Sequence, residues 1–525
     1  MKNEENERYQ QLIKYSPSTQ STYTNLYQKL GESLRSSIFP LVYYIFQSKS
    51  NDLSFNIICI FIEFFEIMTF AFETRYKEIW KTEKFFKTFS YSITYLRLAE
   101  FLQGNKEIYL CVFYMLVMAF MIYLILFFYT ANLFKNNKFN KKWILNILNI
   151  PFSLLSNAIF LPYIQMLMSI FYCDKETKTL IYITEIKCWK YEHLIHCFFG
   201  LVCLIFLISF QLLNIYTFSD IAKDAQSCSS KKSNESDFSL LLLKIYFPIV
   251  NAFFDLNKFN FTMLFISFVL TLYVLYTFYF YRPFYNITIM TMYLCSVTIL
   301  AWVYGVLVFL YFMKNSKFDG GFELFFIGVF FIIFFLMMNS VQMVNFGLVI
   351  SLPLAIKTET LFLDKVEMLE MLFDTNEESR KSSILLKGYI QSHEETCAIK
   401  NCPLKEFLKT GNQRYLLRHI EEIYQLGISK FSGSAKMRLG YVQFLLNKLH
   451  KVQQAQKELM EIQDRCDPNY NEQFCIFQLT RKIEQTSLDT GKSKGDNSST
   501  FAEIKYISMK KNFKKDLDEA VKNYL

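Results

Sequence analysis

The sequence lacks the short motifs that mark the common enzyme classes. It contains no P-loop, no His-Glu-x-x-His zinc motif and no nucleophile elbow. The five histidines are scattered, so their spacing assembles no catalytic cluster. The first 50 residues also lack the short apolar core and the small-residue cleavage site of a secretory signal peptide. We therefore expect a protein that is not an enzyme and whose first apolar segment is an uncleaved membrane anchor.

Charged side chains are scarce in the first two thirds of the chain. Residues 1–355 hold 52 of the 103 charged residues, whereas the 170 residues from 356 to 525 hold the other 51. A bilayer core penalises each Asp, Lys or Arg by about 2.5–3.5 kcal/mol, while a soluble domain needs charge to stay solvated. The net charge of +9 is spread along many segments, so we expect no nucleic-acid partner.

Apolar runs fill this charge-poor region. Each is close to the roughly 20 residues that a helix needs to cross a hydrocarbon core of about 30 Å. The runs are residues 53–73, 108–133, 149–172, 193–217, 262–281, 287–313 and 321–352, with a weaker eighth at 238–256 that contains Lys244 and Asp255. The fold predicted is all-α, with seven or eight crossings of the lipid bilayer, eight preferred, followed by a cytoplasmic helical domain.

Changes in composition divide the chain into six parts. They are a polar N-terminal region at 1–52 with an interfacial segment at 38–48, a transmembrane bundle at 53–352, an amphipathic connector at 353–384, a domain of helical repeats at 385–486, a polar Gly/Ser-rich linker at 487–500 and an amphipathic C-terminal helix at 501–525.

Two cysteines bracket the segment between the third and fourth apolar runs. Cys173 and Cys188 could be free thiols near two helix ends, or they could form a disulfide, which persists only on the oxidising side of a membrane. We favour the disulfide, because both cysteines lie at the ends of adjoining crossings. It would place this loop outside or in a lumen and the N-terminus in the cytoplasm, and eight crossings would then return the C-terminus to the cytoplasm. The membrane could be the plasma membrane or an endomembrane.

Glu63 and Glu66 stand three residues apart in the first apolar run, and so share one face of a helix. Intramembrane carboxylates are costly, and they mark an ion path, a proton relay or a buried partner. The simpler interpretation is that both face the interior of the bundle, protonated or hydrogen-bonded to a neighbouring helix. We favour it, since no lysine or arginine is expected in the middle of the membrane.

His393, Cys397 and Cys402 lie close together at the start of the helical domain. These are residue types that bind zinc, but a structural zinc site normally has four ligands. The fourth could be His419, Cys466, Glu394 or Glu395. Alternatively, His393 and Cys397 lie one helical turn apart and could simply pack. We treat the cluster as a possible structural zinc site with no catalytic role, and we expect no other cofactor.

The segment after Pro403 has the periodicity of several amphipathic helices. Tyr441, Ala455 and Pro468 come close to the spacing of a 34-residue tetratricopeptide repeat, although the proline is one place late. Stacked helix pairs of this kind bury a continuous core and present a surface to peptides. A plain helical bundle is the alternative.

Three segments resemble a known family. They are GYIQSHEETCAIKNCPLK, MRLGYVQFLLNKL and FCIFQLTRKIE, and they are similar to the TmcB/TmcC-like (tiny macrocysts) polytopic membrane proteins of ciliates and slime moulds. The resemblance implies tetratricopeptide-like helices behind a membrane block. Family members often continue into a PAS-type sensor region, and this chain would be a short form without it.

These observations lead to two hypotheses for the function. The first is an integral membrane protein that signals or acts as a scaffold, whose cytoplasmic repeats bind a protein partner. The alternative is an ion channel or transporter that uses Glu63 and Glu66.

Overall fold

The structure is a computed structural model of the whole chain. It describes residues 35–45, 53–73, 76–80, 97–136, 142–156, 158–174, 177–217, 231, 233–253, 261–313, 323–333, 359, 362, 363, 366, 369, 370 and 402–493. These residues contain α-helices, one short 3-10 helix and isolated β-bridges, but no β-strand. The predicted all-α class is therefore confirmed.

The chain divides into two compact units. One contains Met1–Ser219 and Asp224–Met338, and the other contains Asp220–Lys223 and Asn339–Leu525. The boundary near 338 lies inside the last predicted apolar run, somewhat before the boundary at 352 that composition suggested. The composition nevertheless distinguishes an apolar block from a charged one. The reason is that a bilayer favours apolar side chains at the protein surface, whereas water favours charged ones.

The first unit is a bundle of apolar helices. After a helical stretch at 35–45, its helices are α1 (Leu53–Met68, extended by a 3-10 turn at Thr69–Phe72), α2 (Lys77–Trp80), α3 (Leu98–Phe101), α4 (Lys106–Lys135), α5 (Lys142–Ser156), α6 (Phe160–Ser169), α7 (Tyr191–Thr217), α8 (Glu235–Phe253), α9 (Phe261–Tyr281), α10 (Ile287–Phe312) and α11 (Glu323–Ile333). Local signals set some of the ends. The side chains of Asn105 and Asn286 accept hydrogen bonds from amides in the first turns of α4 and α10.

Five helical segments in the described residues are long and apolar enough to cross a membrane. They are Leu53–Phe72, Lys106–Lys135, Tyr191–Thr217, Phe261–Tyr281 and Thr288–Phe312. All five coincide with predicted runs. Many of their large apolar side chains are exposed, among them Met115, Ile122 and Phe280. Exposed apolar side chains on several neighbouring helices suit a lipid surface and are consistent with a membrane protein.

The predicted third crossing, residues 149–172, is interrupted. Helix α5 ends at Ser156 and α6 begins at Phe160, so no single helix spans the run. Pro162 lies in the first turn of α6, where the missing amide hydrogen is not needed. The interruption therefore precedes this proline, and a second proline, Pro151, lies inside α5.

The second unit has its own core. Its helices are α12 (Pro403–Thr410), α13 (Gln413–Lys430), α14 (Ala435–Asn447), α15 (Val452–Arg465) and α16 (Tyr470–Ser493). Pro403 opens α12 and Gly411, at φ 67°, closes it in the left-handed conformation. Consecutive helices pack on one another, and Phe362, Val366 and Leu369 belong to the same buried core. A domain boundary placed at 385 would therefore remove part of this core.

Candidate functional site

A pair of opposite charges is buried inside the first unit. The Nζ atom of Lys244, from α8, lies 2.6 Å from Oε1 of Glu63, from α1, and the two side chains are 4% and 3% exposed. No lysine or arginine was expected in the middle of the membrane, and the structure buries Lys244 among the apolar helices. In the sequence, Lys244 only interrupts the weakest apolar run. In the structure, it pairs with Glu63.

A tyrosine from a third helix completes the contacts of Glu63. The hydroxyl of Tyr293, in α10, donates to Oε2 of Glu63 at 3.4 Å. Its ring stacks on Phe284 with centroids 4.8 Å apart and on Phe278 at 5.5 Å. Both oxygens of Glu63 thus have a partner, and aromatic rings surround the phenol. A buried ion pair is stable only with such additional hydrogen bonds, because both charges have lost their water.

Glu66 lies one helical turn from Glu63 and is also buried, with 5% of its surface exposed. Its Oε2 atom has no hydrogen-bond partner among the described residues. Lys244 and Glu63 are the charges that act on it. We call Glu63, Glu66, Lys244 and Tyr293 the buried charge cluster. The prediction that both glutamates face the interior of the bundle agrees with their burial.

The interrupted crossing lies beside this cluster. The ring of Phe160, the first residue of α6, has its centroid 5.7 Å from Nζ of Lys244. Helix α6 packs against both α8 and α1, and every described side chain in it except that of Pro162 is buried. A discontinuous helix and a charged cluster therefore occur at the same place in the bundle, an arrangement found at the binding sites of many transporters.

A second ionic cluster lies where α1 ends. The guanidinium of Arg97 contacts the carboxylates of Glu73 at 3.1 Å and Glu100 at 2.6 Å, and its Nε donates to Oγ1 of Thr69 at 3.0 Å. Burial by itself would lower the pKa of Arg97, but Glu100 and Glu73 raise it above its usual value. Arg97 is therefore charged, and it ties the end of the first span to the segment that leads into α4.

Cys173 and Cys188 form a disulfide that closes the loop between α6 and α7. The loop is compact, with backbone bridges between Cys173 and Leu180 and between Thr179 and Lys187. The amide of Gly104 donates to the carbonyl of Tyr182 at 3.1 Å, which joins the loop to the turn before α4. The disulfide thus belongs to a folded cap at one end of the bundle.

His193 lies under this loop and is 1% exposed. The amide of Trp189 donates to its Nδ1 at 3.1 Å, so Nε2 carries the proton and donates to the carbonyl of Ile170 at 2.8 Å. Its ligand atoms and those of Cys173 and Cys188 lie within 4.8 Å of one another. With the sulfurs joined to each other and both ring nitrogens hydrogen-bonded, this group fits a structural role better than a metal site.

The predicted zinc cluster lies mostly outside the described residues. His393 and Cys397 are not among them, and Cys402 is a buried residue at the N-cap of α12. Two of the fourth-ligand candidates, His419 and Cys466, are described and buried, and Sγ of Cys466 donates to the carbonyl of Ser432 at 3.9 Å. Within residues 402–493 no group of three metal-ligating side chains comes together.

A buried cation lies in the described part of the helical unit. Arg438 of α14 is 3% exposed, and its Nη1 lies 3.0 Å from both Glu458 and Glu461 of α15. Tyr441 and Ala455, which suggested the repeat spacing, are buried in the interface of the same two helices. The packing is tight elsewhere too, since a Cβ atom on Gly427 would lie 2.5 Å from the ring of Phe362.

Comparison with known proteins adds no relative. No family model, no curated protein and no solved structure matches the chain.

Proposed function

We propose that the protein is a multi-pass membrane protein whose C-terminal helical domain binds a protein partner in the cytoplasm, as a scaffold or signalling component. The observation that carries the proposal is the division of the chain into an apolar bundle and a separate, charged helical unit with its own core. A unit of this kind needs no membrane to bury its apolar side chains, so its exposed surface is available to a partner.

Tetratricopeptide-like pairing is part of the proposal. Helices α14 and α15 have 13 and 14 residues and pack as neighbours across a short link, and α16 packs on both. Such stacking supports an interaction role, because stacked helix pairs present a continuous surface to a partner.

Eight crossings are also part of the proposal, and the position of α8 supports them. At the start of α8, Oγ of Ser236 donates to the carbonyl of Thr277, near the turn between α9 and α10. Near its other end, the carbonyl of Pro248 accepts from the hydroxyl of Tyr172, beside the disulfide loop. Helix α8 therefore runs between opposite ends of the bundle. The interrupted α5–α6 pair and the last run, of which Glu323–Ile333 is described, supply the remaining two crossings.

This topology predicts how the disulfide loop behaves in cells. An impermeant thiol reagent should label Cys173 and Cys188 in intact cells, but only after an impermeant reductant has been added, because the loop lies on the oxidising side. A variant with both residues changed to serine is the control for labelling at other cysteines. If the two cysteines react only after permeabilisation, the proposed orientation is reversed.

The partner surface that we propose is the exposed face of α13. Leu426 is 62% exposed, and on the part of the second unit that the structure describes it is the large apolar side chain left most open to solvent. Gln425, Ser429, Arg418 and Glu422 share this face. An exposed leucine within a polar rim has the composition of a contact point for another protein.

A photo-crosslinking amino acid at Gln425 of the full-length protein tests this surface. We expect one discrete crosslinked protein in cells, lost in the variant Leu426→Asp because the charge opposes burial of that side chain. Ser429→Asp is the matched control, since it adds the same charge one turn away on a side chain that is already polar. Equal crosslinking in the two variants, or a crosslink only to a second copy of this chain, would contradict the proposal.

The buried charge cluster favours a second candidate function, the movement of an ion through the bundle. A protein that only recruits partners has no need for Glu63, Glu66 and Lys244 among apolar helices, where each charge is costly. The flux of ions into proteoliposomes that contain the purified protein measures this function directly.

A further inference from the structure

The charges of the buried cluster do not balance. Glu63 and Lys244 cancel each other in a 2.6 Å ion pair, which leaves Glu66 without an opposite charge of its own. An ionised Glu66 would give the cluster one excess negative charge where 5% of the residue is exposed. Because a net charge is expensive in an apolar interior, a cation must accompany this carboxylate.

A proton suits the site better than a metal ion does. Metal ions that bind oxygen ligands take about six of them, whereas a proton needs one. Both oxygens of Glu63 are occupied, by Lys244 and Tyr293, and the nearby ammonium repels a metal cation. A proton needs one oxygen, and Oε2 of Glu66 is buried without a partner among the described residues.

The surrounding helices provide a discontinuity beside the carboxyl group. Helix α6 begins at Phe160, next to Lys244, and packs against α1. Pro248 lies inside α8, four residues after Lys244, and so removes the amide hydrogen that would bond to the carbonyl of Lys244. Two of the helices around the cluster are therefore irregular at this point, and irregular backbone at membrane depth is tolerated where it is buried in protein or lines a water-filled cavity.

We propose that Glu66 is a proton-binding site of the membrane bundle, at which the carboxylate takes a proton from water and later returns it, while the Glu63–Lys244 pair stays ionised. The charges that act on it are Glu63 on its own helix and Lys244 on α8. The hydroxyl of Tyr293 on α10 donates to Glu63, and that of Tyr163 on α6 donates to the carbonyl of Leu116. The sequence of α6, FLPYIQMLMS, adds no charged side chain. Arg97 and Glu73 form their own ion pair at the end of α1.

Labelling of the purified full-length protein with dicyclohexylcarbodiimide tests the proposal, because this reagent modifies protonated carboxyl groups in apolar surroundings. We expect mass spectrometry to find the label on Glu66 and not on Glu63, with a rate that falls as the pH rises. The label on the peptide that contains residue 66 should be lost in the variant Glu66→Gln. It should be kept in Ser296→Ala, which changes a buried polar side chain on α10 and serves as a control. The pH series on the unmodified protein identifies the site by itself if the Gln variant does not fold.

Three outcomes overturn the site: no label on Glu66 at any pH, a label that does not depend on pH, or protection by Na⁺ or K⁺ at constant pH, which would make it a metal-ion site. The inference rests on the second candidate function and identifies the proton as the ion that moves through the bundle. The labelling experiment itself does not depend on transport. Labelled Glu66 in a protein whose proteoliposomes show no proton flux would remove the transport function and leave the proton site.

Discussion

Replacing Lys244 by methionine is expected to destabilise the membrane bundle by about 3–5 kcal/mol, because it leaves Glu63 buried without its cation. Methionine has nearly the volume of lysine, so the loss comes mainly from the charge. The measurement is the thermal unfolding of the purified full-length protein, followed with a dye that reacts with thiols as they become exposed. The buried Cys59 and Cys203 are suitable reporters.

The double variant Lys244→Met with Glu63→Gln is the control. It removes both charges, so most of the lost stability should return, since the remaining amide can still accept a hydrogen bond from Tyr293. A single variant as stable as the wild-type protein would show that the pair contributes nothing. A double variant no better than the single one would mean that lysine acts through its packing.

Replacing Arg438 by methionine is expected to weaken the helical unit by about 2–4 kcal/mol, because two partly buried carboxylates then lose their shared cation. The matched control is Arg418→Met. Arg418 is 71% exposed in its pair with Glu422, so its removal should cost about 0–1 kcal/mol. Hydrogen exchange of the full-length protein measures the opening of α14 and α15, and equal effects of the two substitutions would contradict the prediction.

The loss in Arg438→Met should depend on pH. Burial, with Glu461, raises the pKa of Glu458, and Arg438 opposes the shift. Without the arginine, this folded-state pKa rises further above the unfolded value. An acid whose pKa is raised by folding destabilises the folded state when it is ionised, and the penalty disappears as the pH falls through that pKa. Part of the lost stability should therefore return between pH 7 and pH 5, and the control should show no such recovery.

The five candidate spans could be predicted because each depends on a local property. A run such as 262–281 is apolar throughout, and its length suits a bilayer whatever its neighbours are. The ends of α12 also depend on local residues, since Pro403 opens the helix and Gly411 closes it. The spacing of Cys173 and Cys188 at the two ends of one loop likewise suggested the bond that the structure contains.

The third crossing and the eighth run were harder to predict for a physical reason. Periodicity reports how apolar a segment is, but the interruption between Ser156 and Phe160 depends on the six helices that pack around α6. Lys244 lowered the apparent apolarity of its run, although its charge is compensated by a carboxylate on another helix. The cost of a buried charge depends on its partner, which no local window of sequence contains.

The sequence by itself determined the all-α class, the division between apolar and charged parts and the two glutamates on one face of α1, since composition and helical spacing decide these. Only the tertiary structure decided that Lys244 pairs with Glu63 and that Tyr293 joins them from 230 residues away. It also decided that Oε2 of Glu66 is buried without a hydrogen-bond partner among the described residues. These contacts form only when distant helices pack, because a charge in an apolar bundle is stable only where packing brings it a partner.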